Sequence, residues 1–228
     1  MTKVLFIRGF NTDLKLGNKT YITFDNYFIL SEYELTYFNY SVDENIKDVY
    51  LNLIRVINNN NFDIIIGHSL GGALLMKFCH EFKNIKNYKK IIFLMPLVHK
   101  INLLNIISNI PLISYLYLPK VLFMPNIFLC EDENILDDTF SLTPVKQIIQ
   151  SYQDILISDE NIINTLKANE NCILFYATDE RFSVIDKATL KKIDNIIYVN
   201  GRHECFNESK NSNKFFKELA NQIQNNVI

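Results

Sequence analysis

No tryptophan occurs in the chain, its cysteines number four, and neither sign of charge prevails. Each scarcity excludes something. Cys79, Cys130, Cys172 and Cys205 stand far apart, without the short paired spacings of a zinc site or a C-x-x-C redox motif, so they read as reduced thiols of the core. With 23 Lys and Arg against 25 Asp and Glu, the formal net charge is -2. That balance gives no basic face for nucleic acid or for an anionic membrane surface. Long apolar runs are missing as well. The segment from Ile101 to Phe128 is rich in Ile, Leu and Tyr, but Pro111, Pro119, Pro125 and a lysine break it before the roughly 20 residues of a membrane span accumulate. Val4 to Ile7 is too short for the apolar region of a signal peptide, so a cytoplasmic protein without a transmembrane segment is expected. Internal repeats and disordered linkers are not evident. What remains is 228 residues, 48% of them apolar, which suits one domain over 1–228 with a large core.

The chain is organised around Gly67-His68-Ser69-Leu70-Gly71-Gly72. The apolar run Phe62 to Ile66 precedes it and Ala73 to Phe78 follows it, so the stretch reads as strand, sharp turn and helix. A serine at the tip of such a turn projects its hydroxyl above the sheet edge. The small residues around it let strand and helix backbones come close. The helix that begins near Leu70 aims its first N–H groups at the same place, where they would meet negative charge developing on a substrate oxygen.

Strands and helices alternate before and after this point. Lys3 to Ile7 reads as the first central strand and ends at Arg8-Gly9-Phe10-Asn11. Tyr21 to Leu30 suits either a strand or a hydrophobic loop. Tyr33 to Tyr40 alternates as a strand does, and Ser41 with Glu44 forms a capping box opening a helix with apolar residues at 46, 49, 53, 56 and 57. Lys90 to Met95 and Cys172 to Ala177 are buried strands. Ser183 to Lys192 reads as a short helix, Asn195 to Val199 as the last strand, and the segment from Asn213 as an amphipathic closing helix. Such alternation implies right-handed crossovers and a mostly parallel sheet. The connection over 97–170 far exceeds an ordinary loop. It reads either as a mobile apolar cap or as a helical insertion packed on the sheet, with a helical pattern from Val145 to Ile157.

The hexapeptide resembles the nucleophile elbow of the α/β-hydrolases, many of whose lipases and esterases carry G-H-S-L-G-G or G-H-S-M-G-G. The resemblance implies an α/β-hydrolase fold with a helical cap or lid at 97–170, and hydrolysis of a carboxylic ester by a Ser-His-Asp triad. A serine hydroxyl needs a histidine to take its proton, and that histidine needs a carboxylate. In this family the histidine follows the last strand, which selects His203 in Gly201-Arg202-His203-Glu204. The order Ser, acid, His places the acid in Ala177-Thr178-Asp179-Glu180. Asp179 is the expected acid, and Glu180 is the alternative if a G-x-x-D pattern is counted from Ala177. By position, the oxyanion donors are the N–H groups of Phe10 and Leu70. Arg8 stands where the family has histidine; it either pins the loop through a carboxylate or meets substrate directly. His68 reads as a site-wall or packing residue and His99 as a pocket-lining one, both weak candidates for substrate binding. No metal or organic cofactor is implied, and the expected partner is a small hydrophobic ester or lipid. The same resemblance also admits a thioesterase, an acyltransferase, or a non-catalytic relative that binds a hydrophobic ligand or a protein.

Overall fold

A computed structural model of the chain describes residues 1–9, 21–29, 32–40, 44–82, 85, 87–98, 117–119, 142–144, 154–181 and 183–224. In chain order the elements are β1 (Thr2–Ile7), α1 (Ile22–Ile29), β2 (Tyr33–Phe38), α2 (Ile46–Asn59), β3 (Ile64–His68), α3 (Leu70–Glu81) and β4 (Lys90–Leu94). There follow β5 (Tyr117–Pro119), β6 (Leu142–Pro144), α4 (Asp159–Lys167), β7 (Cys172–Ala177), α5 (Lys187–Leu190), β8 (Ile196–Val199) and α6 (Ser212–Gln224). Six strands make one sheet in the order β2-β1-β3-β4-β7-β8. Every neighbouring pair in it is parallel. β5 and β6 form a separate antiparallel pair. Among the described residues no helix is long and apolar enough to cross a membrane.

Period two along the strands divides the core into two layers. Leu5 and Ile7 of β1, Ile65 of β3, Ile91 and Phe93 of β4 and Leu174 of β7 pack with α2, α3 and α4. Val4, Phe6, Ile64, Ile66, Ile92 and Phe175, one residue out of step, pack with α1 and α6. Strands buried on both faces need no polar alternation, which is why their sequences are nearly continuous apolar runs. Each fully buried Ile or Phe contributes about 1.5–3 kcal/mol by leaving water. β1 sits between β2 and β3, so the chain crosses over to one side first and to the other side next. Such a reversal opens a crevice at the carboxyl ends of the two strands. Gly9 follows one of those ends and Ser69 the other.

Tyr21 to Leu30, open between strand and loop, contains a helix instead. Tyr21, Phe24 and Phe28 share one face and pack on Phe6, Phe206 and one another. Their spacing of three and four is helical, and tertiary packing of that stripe outweighs the modest intrinsic helix propensity of aromatic residues. α2 begins at Ile46 rather than at Ser41, with Asn45 as its cap: the side-chain oxygen accepts a hydrogen bond from Lys47 N at 2.9 Å. α5 is shorter than the expected 183–192 helix because Asp186 caps it late, accepting from the N–H groups of Ala188 and Thr189. Within 97–170, most of the expected cap lies outside the described residues. Its last part is core: Ile155, Ile162 and Leu166 are fully buried against the sheet. β4 and β7 lie side by side, with Ile91 opposite Cys172, although the whole of that connection separates them in sequence. Cys79, Cys172 and Cys205 are buried thiols.

Candidate active site

β3 runs directly into α3, and Ser69 at the junction has φ 53 and ψ -119. A non-glycine residue in this region costs about 1–3 kcal/mol and persists only where its surroundings hold it. The hold is visible. Ser69 N donates to Leu94 O at 3.1 Å, and Ser69 O accepts from Ala73 N at 3.0 Å and Leu97 N at 2.9 Å. Gly71 makes the junction possible, since a Cβ there would collide with the carbonyl oxygens of Ile7 and Arg8 at the end of β1. Gly9 is placed closely as well, though with more room than Gly71: a Cβ on it would lie 3.1 Å from Ser69 Cβ and 3.3 Å from His68 Nδ1.

His203 reaches the same corner from the turn after β8. Gly201 adopts φ 110, a conformation that disfavours any side chain, and the Glu208 carboxylate occupies the space where a Cβ would stand. Glu208 Oε1 accepts from Arg202 N at 3.0 Å, which fixes the backbone on the amino side of His203. The His203 ring centroid then lies 5.2 Å from that of His68, the neighbour of Ser69.

The carboxylate at His203 is Glu180. Its Oε2 lies 2.9 Å from His203 Nδ1, and both side chains are 1% exposed. Its other oxygen accepts from Ser183 N at 2.9 Å. With both oxygens used and solvent excluded, the pair holds the imidazole in one orientation with its proton on Nδ1. Of the two carboxylates that the sequence offered, Glu180 faces His203 and Asp179 does not. β7 ends at Ala177, and the turn that follows is tied by Asp179 N to Gly201 O at 3.0 Å and by Glu180 N to Ala177 O at 3.2 Å. This geometry sends consecutive side chains opposite ways. Asp179, 42% exposed, pairs with Arg181 Nε at 2.9 Å and Arg202 Nε at 3.4 Å. The Arg181 hydrogen bond, with Arg202 behind it, holds the Asp179 carboxyl below the usual carboxylate range.

Ser183 extends the arrangement. Its hydroxyl accepts from Val98 N at 2.9 Å and donates to Pro96 O at 2.8 Å. The turn that carries Glu180 is therefore clasped to the segment whose Leu97 N–H holds Ser69. Nothing in the sequence singled out Ser183 or Glu208. Tyr21 could have been found from its helical spacing with Phe24 and Phe28.

Arg8 takes the structural role. Its guanidinium lies 4.1 Å from the Tyr37 ring centroid and 5.1 Å from that of Tyr21, and 4.0 Å from the Asp25 carboxylate. Tyr37 also donates to Asp25. Burial lowers the Arg8 pKa, opposed by the fields of Tyr21 and Asp25. His68 is packed beside the site: it is 2% exposed, with Nδ1 2.7 Å from Tyr21 Oη and Nε2 3.4 Å from His203 O. Leu70 begins α3 beside Ser69. Phe10 and His99 lie outside the described residues.

No family model and no curated protein sequence matches the chain. Solved structures do. A monoacylglycerol lipase from Paleococcus ferrophilus superposes with a TM-score of 0.64 at 12% identity, over 95% of this chain and 91% of that one. A soluble variant of monoglyceride lipase from Saccharomyces cerevisiae gives 0.65 at 14% identity, over 98% and 87%. The thioesterase domain from the curacin biosynthetic pathway gives 0.63 at 13%, over 98% and 91%. A parallel six-stranded sheet, a strained serine between strand and helix, and near-complete overlap with these enzymes lead to one statement: the chain has the α/β-hydrolase fold.

Proposed function

We propose that the protein is a serine hydrolase of carboxylic esters, acting through an acyl-enzyme, with Ser69, His203 and Glu180 as its triad. Ser69 Oγ attacks the ester carbonyl while His203 Nε2 takes the hydroxyl proton. In this reading the tetrahedral oxyanion is met by the main-chain N–H groups of Phe10 and Leu70. His203 then passes its proton to the departing alcohol. Water, deprotonated by the same nitrogen, releases the acid. Glu180 keeps the His203 proton on Nδ1 and stabilises the imidazolium formed in each half-reaction.

The observation that carries this reading is the buried His203–Glu180 pair at 2.9 Å, at the same end of the sheet as a serine held at positive φ. A binding module would have no need to bury an imidazole and a carboxylate together beside a strained serine. An apolar acyl group is favoured, because the connection over 97–170 begins with an Ile- and Leu-rich stretch and two of the superposed structures are lipases of monoacylglycerols. Labelling with a fluorophosphonate tests the nucleophile without a guess at substrate. Modification is expected at Ser69 alone, absent in Ser69→Ala and reduced on the order of 10⁴-fold in His203→Ala. Folded wild-type protein that resists the probe, or is modified elsewhere, would overturn the proposal. An ester series of increasing acyl length then reads the substrate class.

A further inference from the structure

A chain of hydrogen bonds crosses the site beneath Ser69. Gly9 N donates to Tyr21 Oη at 2.9 Å, and Tyr21 Oη meets His68 Nδ1 at 2.7 Å. On the far side of the same imidazole, Nε2 faces His203 O at 3.4 Å. Tyr21 and His68 are 1% and 2% exposed, so bulk water does not compete for these groups. The directions follow from the inventory of donors. Gly9 N–H donates to Tyr21 Oη, and on the far side the His203 carbonyl can only accept, so the ring proton of His68 stands on Nε2 and the Tyr21 hydroxyl donates to Nδ1. Burial and the charge of Glu204 push the Tyr21 phenol well above its ordinary value, which keeps that proton in place. His68 Nδ1 then accepts, and its ring proton stands on Nε2 toward the His203 carbonyl. This places His68 in the tautomer opposite to that of His203.

The geometry points to Tyr21 and His68 as positioning residues that hold the Gly9 backbone and the His203 backbone at a fixed separation across Ser69. The inference rests on the ester-hydrolase reading above. The loop that begins at Gly9 carries one oxyanion donor of that reading, and the loop after β8 carries the base. The donor is useful only if it stands about 3 Å from the oxygen that His203 and Ser69 drive negative. Among the described residues, Tyr21 and His68 form a side-chain path that links residues 9 and 203. An elbow histidine is therefore a strut, and a tyrosine at the start of α1 is its first member.

Tyr21→Phe removes one oxygen and leaves the ring in its aromatic stack. It is expected to slow fluorophosphonate labelling and lower kcat by about 10- to 100-fold, with KM within about twofold. His68→Leu should behave likewise. His68→Asn returns an acceptor near the Nδ1 position and should recover part of the His68→Leu loss, which a merely space-filling role would not produce. Nitrogen NMR of ¹⁵N-histidine protein supplies a readout independent of turnover: wild-type His68 is expected with a bare Nδ1 and a protonated Nε2, and Tyr21→Phe with a mixture of tautomers. A wild-type His68 protonated on Nδ1 overturns the proposal. So does a Tyr21→Phe protein that labels at the wild-type rate. Wild-type protein that is not labelled at Ser69 overturns instead the hydrolase reading and, with it, the catalytic use of the strut.

Discussion

Replacing Glu180 by glutamine keeps its shape and changes one oxygen into a donor. In the native arrangement Oε1 accepts from Ser183 N at 2.9 Å and Oε2 faces His203 Nδ1 at 2.9 Å. The glutamine amide has one oxygen for these two positions. If the oxygen keeps the Ser183 bond, the NH₂ group faces Nδ1 and drives the imidazole proton onto Nε2, where it cannot accept from Ser69. If the amide flips, the NH₂ opposes the Ser183 N–H and a buried donor is stranded, at a cost of about 1–3 kcal/mol. The first arrangement is the less costly, and a wrong tautomer of this kind lowers turnover on the order of 10⁴-fold. That loss corresponds to about 5.5 kcal/mol of transition-state stabilisation. Asp179→Asn, by contrast, weakens an exposed ion pair to Arg181, worth about 0.2–1 kcal/mol of stability, and a longer, half-buried one to Arg202. Its rate should stay within about twofold. Second-order labelling rates and ester turnover for both variants, with thermal midpoints to verify folding, decide between the two carboxylates. Comparable losses in the two variants, or a larger one in Asp179→Asn, would refute the assignment of Glu180.

Gly71→Ala should destabilise the protein by about 1–3 kcal/mol or more, read from denaturant midpoints, because the added methyl meets the backbone oxygens of Ile7 and Arg8 and no side chain there can yield; a neutral effect would mean that the β3–α3 junction is looser than described. Alkaline stability follows from the buried phenols of Tyr21, Tyr40 and Tyr50, all pushed above their ordinary value near 10, in each case chiefly by burial. Folding keeps their protons while the unfolded chain releases them, so this stability is complete below pH 10 and is lost as pH rises from there toward the folded values. Each such phenol adds up to about 1.4 kcal/mol of loss per pH unit, and urea midpoints between pH 8 and 11 should show a shallower decline in Tyr21→Phe than in wild type.

The sheet and the elbow were legible because their signals are local. A buried parallel strand declares itself as an apolar run, and Gly67 to Gly72 states a close approach of two backbones in six residues. α1 was not legible. Tyr21, Phe24 and Phe28 are ambiguous until Phe6 and Phe206 are set beside them, and those contacts come from distant parts of the chain. The carboxylate that faces His203 was not legible for a different reason. Asp179 and Glu180 are adjacent, and which side chain turns inward depends on the bonds of the turn to Gly201 and Ala177, which composition does not carry. Counting four positions from the end of the strand selects the residue that faces His203, because that count follows the turn rather than the frequency of aspartate in triads. Glu208 and Ser183 were invisible in the sequence for a related cause: each acts on a backbone N–H, and almost any exposed polar residue could do so if it were placed there.

β4 and β7 are parallel neighbours in the sheet, so the connection over 95–171 leaves at the carboxyl end of β4, beside Ser69, and returns at the amino end of β7 on the opposite edge. The sheet thus fixes its two ends about one strand length apart, whatever lies between them. For a connection with fixed ends, doubling or halving the length changes the closure free energy by only about 0.6 kcal/mol. Outside the core residues Ile155, Ile162 and Leu166, length is therefore a nearly neutral variable of this connection. Lineages built on this sheet are free to lengthen, shorten or replace that part, and so to move from one substrate to another, without disturbing the stability of the strands that hold the nucleophile.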